Sequence, residues 1–327
     1  MSESNALLCV GDGLIDFLSC APKKQLLESE LFRRCPGGSA VNTVIVASRL
    51  GLTTTLLTAL GADLFGDILC SVLDEEGVDT DPVLRVRGMG TALAFASSPK
   101  GKPEFCCLRS SQKPESKLTK NHIPPLPPFV HLCSLLSCLL APTEFIDELL
   151  QQVDKEQSLL TYDPNIANAN VETALVRERI MKCVARAHIV KMSADDLALL
   201  YPDSTLDEAL VELQQMNVPM AIITLGAEGL WVYTKSARFS LKAIKVDVAD
   251  TVGAGDAFTG GLIYALSRAK LFNIEDIVQA GEEELKRICL FASAVAAAAC
   301  TTVGAYGGVQ SLAQIEALGF ADCKQKK

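Results

Sequence analysis

Asp250-Thr251-Val252-Gly253-Ala254-Gly255-Asp256-Ala257-Phe258-Thr259-Gly260-Gly261 is the stretch on which the reading turns. Small residues at 253–255 let the backbone bend sharply and present successive N–H groups at the start of a helix. Such a concavity attracts anions, through donors that no helical carbonyl satisfies and through the positive end of the helix dipole. Asp256 sets a carboxylate beside that trap. A base next to a hole for negative charge suits transfer of a phosphoryl group onto a hydroxyl. The base takes the hydroxyl proton while the amides stabilise charge on the transferring oxygens. Taken alone, a glycine turn before a helix is common, and an acid in a helix first turn is favoured without any catalytic role.

A second glycine cluster lies roughly 210 residues upstream, Pro36-Gly37-Gly38-Ser39-Ala40-Val41-Asn42. Val44, Ile45, Ala47 and Leu50 follow at helical spacing, with Gly51 as the stop. Ser39 reads as the N-cap of that helix. Paired glycines allow a ligand close to the backbone, and the Asn42 amide, in the first turn, offers both a donor and an acceptor to sugar hydroxyls. The plainer alternative is a structural loop with a polar helix face.

Between and around these clusters, short apolar runs alternate with helical patterns. Runs at 7–11, 54–58, 130–133, 159–163, 189–192 and 221–225 suit strands covered on both faces. Helical patterns occupy 64–77, 143–154, 171–186, 205–216, 254–269 and 276–300. The alternation predicts a mostly parallel sheet with helices on both sides, and ligands in such sheets bind beyond the carboxyl ends of the strands. Asp163, Lys191 and Thr224 close or follow strands and so belong at that edge. Segments 14–35 and 86–110 carry β-type patterns without helices. The prolines of 123–129 read as a rigid connector.

In this order the motifs resemble the ribokinase-like (PfkB) carbohydrate kinase family over nearly the whole chain. Gly11-Asp12-Gly13-Leu14-Ile15-Asp16 looks like the family's opening strand, and 37–51 and 250–261 look like its two signatures. Tyr162-Asp163-Pro164-Asn165, Lys191-Met192-Ser193-Ala194-Asp195-Asp196, Thr224-Leu225-Gly226-Ala227-Glu228-Gly229 and Thr301-Thr302-Val303-Gly304-Ala305 fall between or after them as expected. The wording is most like fructokinases, with aminoimidazole riboside kinase a near neighbour.

The resemblance implies one ribokinase-like α/β domain over 1–327, a three-layer sandwich with a mostly parallel central sheet. The segments 14–35 and 86–110 would form a small β-sheet lid that keeps water from the γ-phosphate of ATP. It implies an ATP-dependent sugar kinase, foremost one acting on the primary hydroxyl of D-fructose. Asp256 would be the base, with Gly253, Ala254 and Gly255 as the anion hole. Asp16, Gly37, Gly38, Asn42, Asp163, Asn165 and Arg109 would hold the sugar. Lys191, Ser193, Thr224, Gly226, Gly229 and Ser293, with Gly253 and Gly255, would hold the nucleotide. Asp250, Val252 and Gly304 match where relatives bind a monovalent cation such as potassium. Asp196 would reach Mg2+ through water, the ion arriving mainly on the nucleotide phosphates. Asp16 also reads as a turn residue, and the Gly226–Gly229 turn before Leu230-Trp231-Val232-Tyr233 also reads as an ordinary hairpin.

Three departures stand out. The family's Asp-Pro-Asn-x-Arg has Ala167 in fifth place, so a cation near the phosphates is missing unless Arg109, Arg177 or Lys191 replaces it. The usual Asn-x-x-Glu is Ser193-Ala194-Asp195-Asp196, with a shorter acid. Ser293 stands where relatives carry asparagine.

Composition agrees with a soluble enzyme. The 327 residues are 49% apolar, and 39 acids against 30 bases give a net charge of −9 without a basic run, so nucleic acid is not an expected partner. Twelve cysteines without a C-x-x-C pair and only three histidines argue against structural zinc and for a reduced cytoplasm. Cys9, Cys133 and Cys289 read as core residues. Met1–Asn5 lacks a basic region and the apolar run after it is cut by Gly11 and Asp12, so no export signal is expected. The run 288–300 is too short to span a bilayer. A homodimer through the lids is the family's implication. A nucleoside kinase of the aminoimidazole riboside type or another PfkB sugar kinase is the near alternative, and a non-catalytic fructokinase-like binding protein the alternative of another class. An oxidoreductase is disfavoured, because Asp12 and Asp16 lie where a dinucleotide's pyrophosphate would sit.

Overall fold

Runs of Leu, Ile and Val with no polar face can be satisfied only by cover on both sides, and that requirement builds the molecule. The structure is a computed structural model describing residues 5–21, 24–97, 104–166, 174–216 and 218–317. In chain order its strands are β1 (Ala6–Val10), β2 (Leu14–Ser19), β3 (Phe32–Gly37), β4 (Thr53–Leu57), β5 (Ala59–Gly61), β6 (Val78–Asp79), β7 (Leu84–Val86), β8 (Ala92–Ser97), β9 (Glu104–Leu108), β10 (Phe129–Cys133), β11 (Leu159–Asp163), β12 (Ile189–Ser193), β13 (Met220–Thr224), β14 (Leu230–Thr234) and β15 (Arg238–Leu241). The helices are α1 (Ser39–Leu50), α2 (Leu64–Glu75), α3 (Thr143–Glu156), α4 (Ala174–Val184), α5 (Ala194–Leu200), α6 (Leu206–Gln215), α7 (Ala254–Ala269), α8 (Ile274–Gln279), α9 (Glu282–Ala299) and α10 (Leu312–Ala317).

The central sheet has nine strands in the order β15-β14-β13-β12-β11-β10-β1-β4-β6. Strands from β13 to β6 run parallel, and the β14–β15 edge is antiparallel. Alternate strand residues feed two cores. Leu7, Cys9, Phe129, Leu159, Ile189 and Ile222 pack with α1, α2, α7 and α9. Leu8, Val10, Val130, Leu132, Tyr162, Val190 and Ile223 pack with α3, α4, α5 and α6 on the opposite face. The result is the mostly parallel sheet covered on both faces that the alternation predicts, and the three-layer sandwich that the resemblance implies.

A separate four-stranded sheet, β3-β2-β8-β9, comes from the two segments that lacked helices. In it β2 pairs parallel to β8 and antiparallel to β3, and the register sets Cys35, Asp16, Ala94 and Cys107 in one row across the sheet. Among the described residues no helix is long and apolar enough to cross a membrane.

Each expected strand of the central sheet is present, shifted by at most one residue. Two expectations about helix ends need correction. The pattern over 276–300 is two helices: α8, capped by Asn273, ends before Ala280, and α9 restarts from Gly281. Ser39 is not the N-cap of α1: Gly38 is, at φ 99°, a left-handed-side angle that glycine tolerates. The Ser39 hydroxyl goes to a carboxylate of α7 instead.

Candidate active site

Helix α7 begins where Gly253 takes φ 74°, which a side chain would oppose. A Cβ there would also lie within 2.4–2.6 Å of Ala305, so the 250–255 turn is packed directly on the C-terminal loop. The Ala254 N–H is used by the Thr251 carbonyl at 3.3 Å. Among the described residues nothing takes the N–H groups of Gly253, Gly255 and Asp256. The expected anion hole is therefore narrowed: the free donors are at 253, 255 and 256, and Ala254 shapes the turn.

Asp256 is buried, with its carboxylate held from α1. Ser39 Oγ donates to Oδ1 at 2.5 Å and Asn42 Nδ2 donates to Oδ2 at 2.8 Å. The Thr43 hydroxyl reaches the Asp256 carbonyl at 3.4 Å. Burial pushes the Asp256 carboxyl above the usual carboxylate range, against the Ser39 and Asn42 hydrogen bonds and the Lys191 charge, which pull it down. Gly260 and Gly261 let α7 press onto α1 and α9, which brings the two glycine clusters together.

Strands β11 and β12 deliver the next pair. Asp163 Oδ2 accepts from Lys191 Nζ at 2.7 Å, with side chains only 1% and 8% exposed, so neither charge is left to solvent screening. Burial opposes the lysine charge, but Asp163, Asp196 and Asp256 outweigh it and hold the ammonium protonated above its ordinary value. A Cβ on Gly255 would come within 2.7 Å of Lys191 Nζ, which places that cation at the mouth of the α7 turn. Asp163 Oδ1 also takes the Asn165 N–H at 3.1 Å, turning the chain so that Asn165 Nδ2 reaches Ser39 Oγ at 2.9 Å and Asp256 Oδ1 at 3.4 Å. Asp256, Ser39, Asn42, Asn165, Asp163 and Lys191 thus form one connected polar group at the carboxyl edge of the sheet.

Asp16, on the small sheet, faces this group. Its carboxyl is pushed up to about 7 by burial and by the negative charges of Asp12 and Asp256. Gly37 lies so close that a Cβ would fall 2.1 Å from Asp16 Oδ2, and Gly38 backs onto the Asp12 carbonyl. Arg109 is not a free cation. Its guanidinium pairs with Asp12 Oδ2 at 2.8 Å and Glu115 Oε1 at 3.0 Å. Arg177 stacks over the Tyr201 ring, so of the three cations expected to replace the missing arginine only Lys191 touches the α7 turn. Ala167 lies outside the described residues.

The nucleotide candidates are spread more widely. Ser193 and Thr224 are paired at the ends of β12 and β13, and the Thr224 hydroxyl donates to the Met192 carbonyl at 3.3 Å. Gly226 lies in the turn after β13, and Gly229 sits against the Leu241 carbonyl of the β14–β15 hairpin. Ser293 Oγ bonds back to the Cys289 carbonyl of its own helix at 2.8 Å.

Neither metal expectation required a cage of acidic side chains. Among the described residues no three His, Cys, Asp or Glu side chains are grouped to hold a metal. Asp250 accepts the Val252 N–H on Oδ1 at 3.1 Å and the Gly304 N–H on Oδ2 at 3.0 Å, stapling the two loops. A monovalent cation there would draw on the Asp250 charge and the carbonyls of the two loops. Asp196 is engaged by the Ile166 N–H at 2.7 Å, and by the Ser193 N–H and hydroxyl at 3.0 and 2.6 Å. It completes the capping box of Ser193, the N-cap of α5, and tethers the loop after Asp163.

Sequence reasoning passed over Ser39 as a ligand of Asp256, over Asp12 and Glu115, and over Arg33, whose Nη2 donates to the Val303 carbonyl at 2.8 Å. A serine ahead of a helix signals a cap, and an acid between lysines signals a solvated loop, so these roles left no trace in the pattern.

The sequence profile described as pfkB family carbohydrate kinase matches residues 4–312. Probable fructokinase-3 of Arabidopsis thaliana is 32% identical over 336 residues, covering 99% of this chain and 94% of that protein. Among solved structures, fructokinase with bound ATP from Xylella fastidiosa superposes with a TM-score of 0.82 at 26% identity, over 96% of this chain and 98% of that one. Aminoimidazole riboside kinase from Salmonella enterica, complexed with aminoimidazole riboside and an ATP analog, superposes with a TM-score of 0.81 at 28% identity, over 96% and 99%.

Proposed function

The chain belongs to the pfkB family of carbohydrate kinases, and from that premise we propose that it transfers the γ-phosphate of ATP to the primary hydroxyl of D-fructose. One observation carries the chemistry: a buried carboxylate, Asp256, held on both oxygens at the start of a helix whose N–H groups at 253, 255 and 256 are free and whose mouth holds a lysine. Asp256 takes the proton of the sugar hydroxyl as its oxygen attacks the γ-phosphorus. The bond to the bridging oxygen breaks and ADP leaves. The N–H groups of Gly253, Gly255 and Asp256, with the Lys191 ammonium, stabilise charge on the transferring phosphoryl group. The raised position of Asp256 makes it a stronger base than a surface aspartate.

Asp16, Gly37, Gly38, Asn165 and the Asp12–Arg109 pair surround the sugar in this reading, with the small sheet as a lid over it and Asp163 holding Lys191 in place. Ser193, Thr224, Gly226, Gly229 and Ser293 line the nucleotide's side. Mg2+, carried on the ATP phosphates, supplies further charge neutralisation. A monovalent cation at Asp250, Val252 and Gly304 would reinforce the field behind the α7 turn. We place the protein in a reducing cytoplasm, where the described cysteines stay free thiols, as one domain with the lids pairing in a homodimer.

The likeness to the Salmonella enzyme favours one second reading, a nucleoside kinase for aminoimidazole riboside. A coupled assay of ADP release over fructose, ribose, ketodeoxygluconate and aminoimidazole riboside separates the two. Fructose is expected to give the highest kcat/KM. Preference for the riboside favours the second reading, and no turnover on any substrate points to a non-catalytic binding protein.

A further inference from the structure

Arg109 follows the last strand of the small sheet, and its guanidinium is clamped between acids from two distant segments, Asp12 after β1 and Glu115 in the turn Pro114–Lys117. Both acids are almost wholly buried, at 5% and 2% exposure. Each gives one oxygen to Arg109. The other oxygens, Asp12 Oδ1 and Glu115 Oε2, are buried with no hydrogen-bond partner.

A tether between sheet and core needs only the paired oxygens, and leaving two charged acceptors dry and unmatched is costly. Their location points to what matches them. The Asp12 carbonyl lies under Gly38, the Asp12 N–H donates to Ser134 Oγ at 3.2 Å, and the Asp12 charge raises both Asp16 and Asp256. Asp12 therefore borders Gly38 and acts on Asp16 and Asp256, which sets it beside the space in which the sugar would sit. A ligand rich in hydroxyls supplies the missing donors. A carboxylate- or phosphate-bearing sugar does not, and it would find Arg109 already neutralised by two acids.

We propose that Asp12 and Glu115, positioned by Arg109, are a second hydroxyl-reading pair that restricts this site to neutral sugars. The inference rests on the kinase reading for its chemistry but not for its binding test. The unpaired oxygens accept from sugar hydroxyls, and Arg109 acts as a positioning residue that fixes them rather than as a contact for the sugar. Glu115→Gln and Asp12→Asn keep shape while replacing a charged acceptor by an amide.

Sugar KM, ATP KM and kcat are measured for the wild type and both variants over fructose and its monodeoxy analogues, together with the Tm shift each sugar gives without nucleotide. The expected result is a sugar KM raised about 10–100-fold with ATP KM changed less than about twofold. One deoxy analogue, already weak with the wild type, should lose nothing further in the variant. An unmoved sugar KM, a moved ATP KM, or an equal loss for every analogue would make the pair a tether only and overturn the proposal. If Glu115→Gln does not fold, Glu115→Asp, which keeps the charge and withdraws it by one methylene, is put through the same comparison. Absence of turnover with every sugar defeats the kinase reading alone. The pair is then judged by fructose's Tm shift, which must be present in the wild type and reduced in the variant, and otherwise the proposal fails.

Discussion

At Asp256 and Asp16 burial and neighbouring acids act in the same direction, and both carboxyls rise above the ordinary range. A group raised in this way gains its proton at a higher pH than a surface acid would, so function that needs the carboxylate fails early on acidification. With Asp16 near 7 in the free protein, kcat/KM for fructose should fall about tenfold per pH unit once the pH drops below roughly 6.5. The limb belongs to the pair of acids jointly, and Asp16→Asn should move it to lower pH. A profile for kcat/KM that stays flat down to pH 5 would contradict the buried placement of these acids. Asp256 and Lys191 were legible because glycine clusters and strand ends mark them. Ser39 and Glu115 were not, because their roles depend on partners more than a hundred residues away (Asp256) or on burial that a polar loop does not advertise.

Among the elements, the turn entering α7 carries the sharpest demand. Gly253 sits at positive φ and leaves no room for a Cβ beside Ala305. Gly253→Ala should cost about 1–2 kcal/mol for the backbone angle alone, with more from displacing the C-terminal loop. Thermal unfolding should show a lowered Tm, and ADP release should fall more than tenfold as the free N–H groups lose their aim. A variant as stable and active as the wild type would mean that the turn is not under this constraint. The extent of α1 and α7 could be read from periodicity and glycine stops, since α1 closes at Gly51 and α7 starts at Ala254 as expected. The split between α8 and α9 escaped because the apolar spacing continues through Ala280-Gly281, where only the backbone changes direction.

On the scale of the molecule, alternation of apolar runs and helical patterns was enough for the layered architecture, because strands without a polar face demand cover on both sides. The tie between the small sheet and the C-terminal loop was not readable. It rests on contacts such as Arg33 with the Val303 carbonyl, 270 residues apart, and on the register that sets Asp16 in the centre of its row. In the proposed reading a protein of net charge −9 holds ATP by local donors, and the α7 turn, where Lys191 meets free N–H groups, supplies them. Turnover of fructose by Asp256→Asn therefore tests the account most directly. The prediction is a kcat lowered by about 10²–10⁴-fold with sugar and ATP KM nearly unchanged; a kcat within about threefold of the wild type would contradict it.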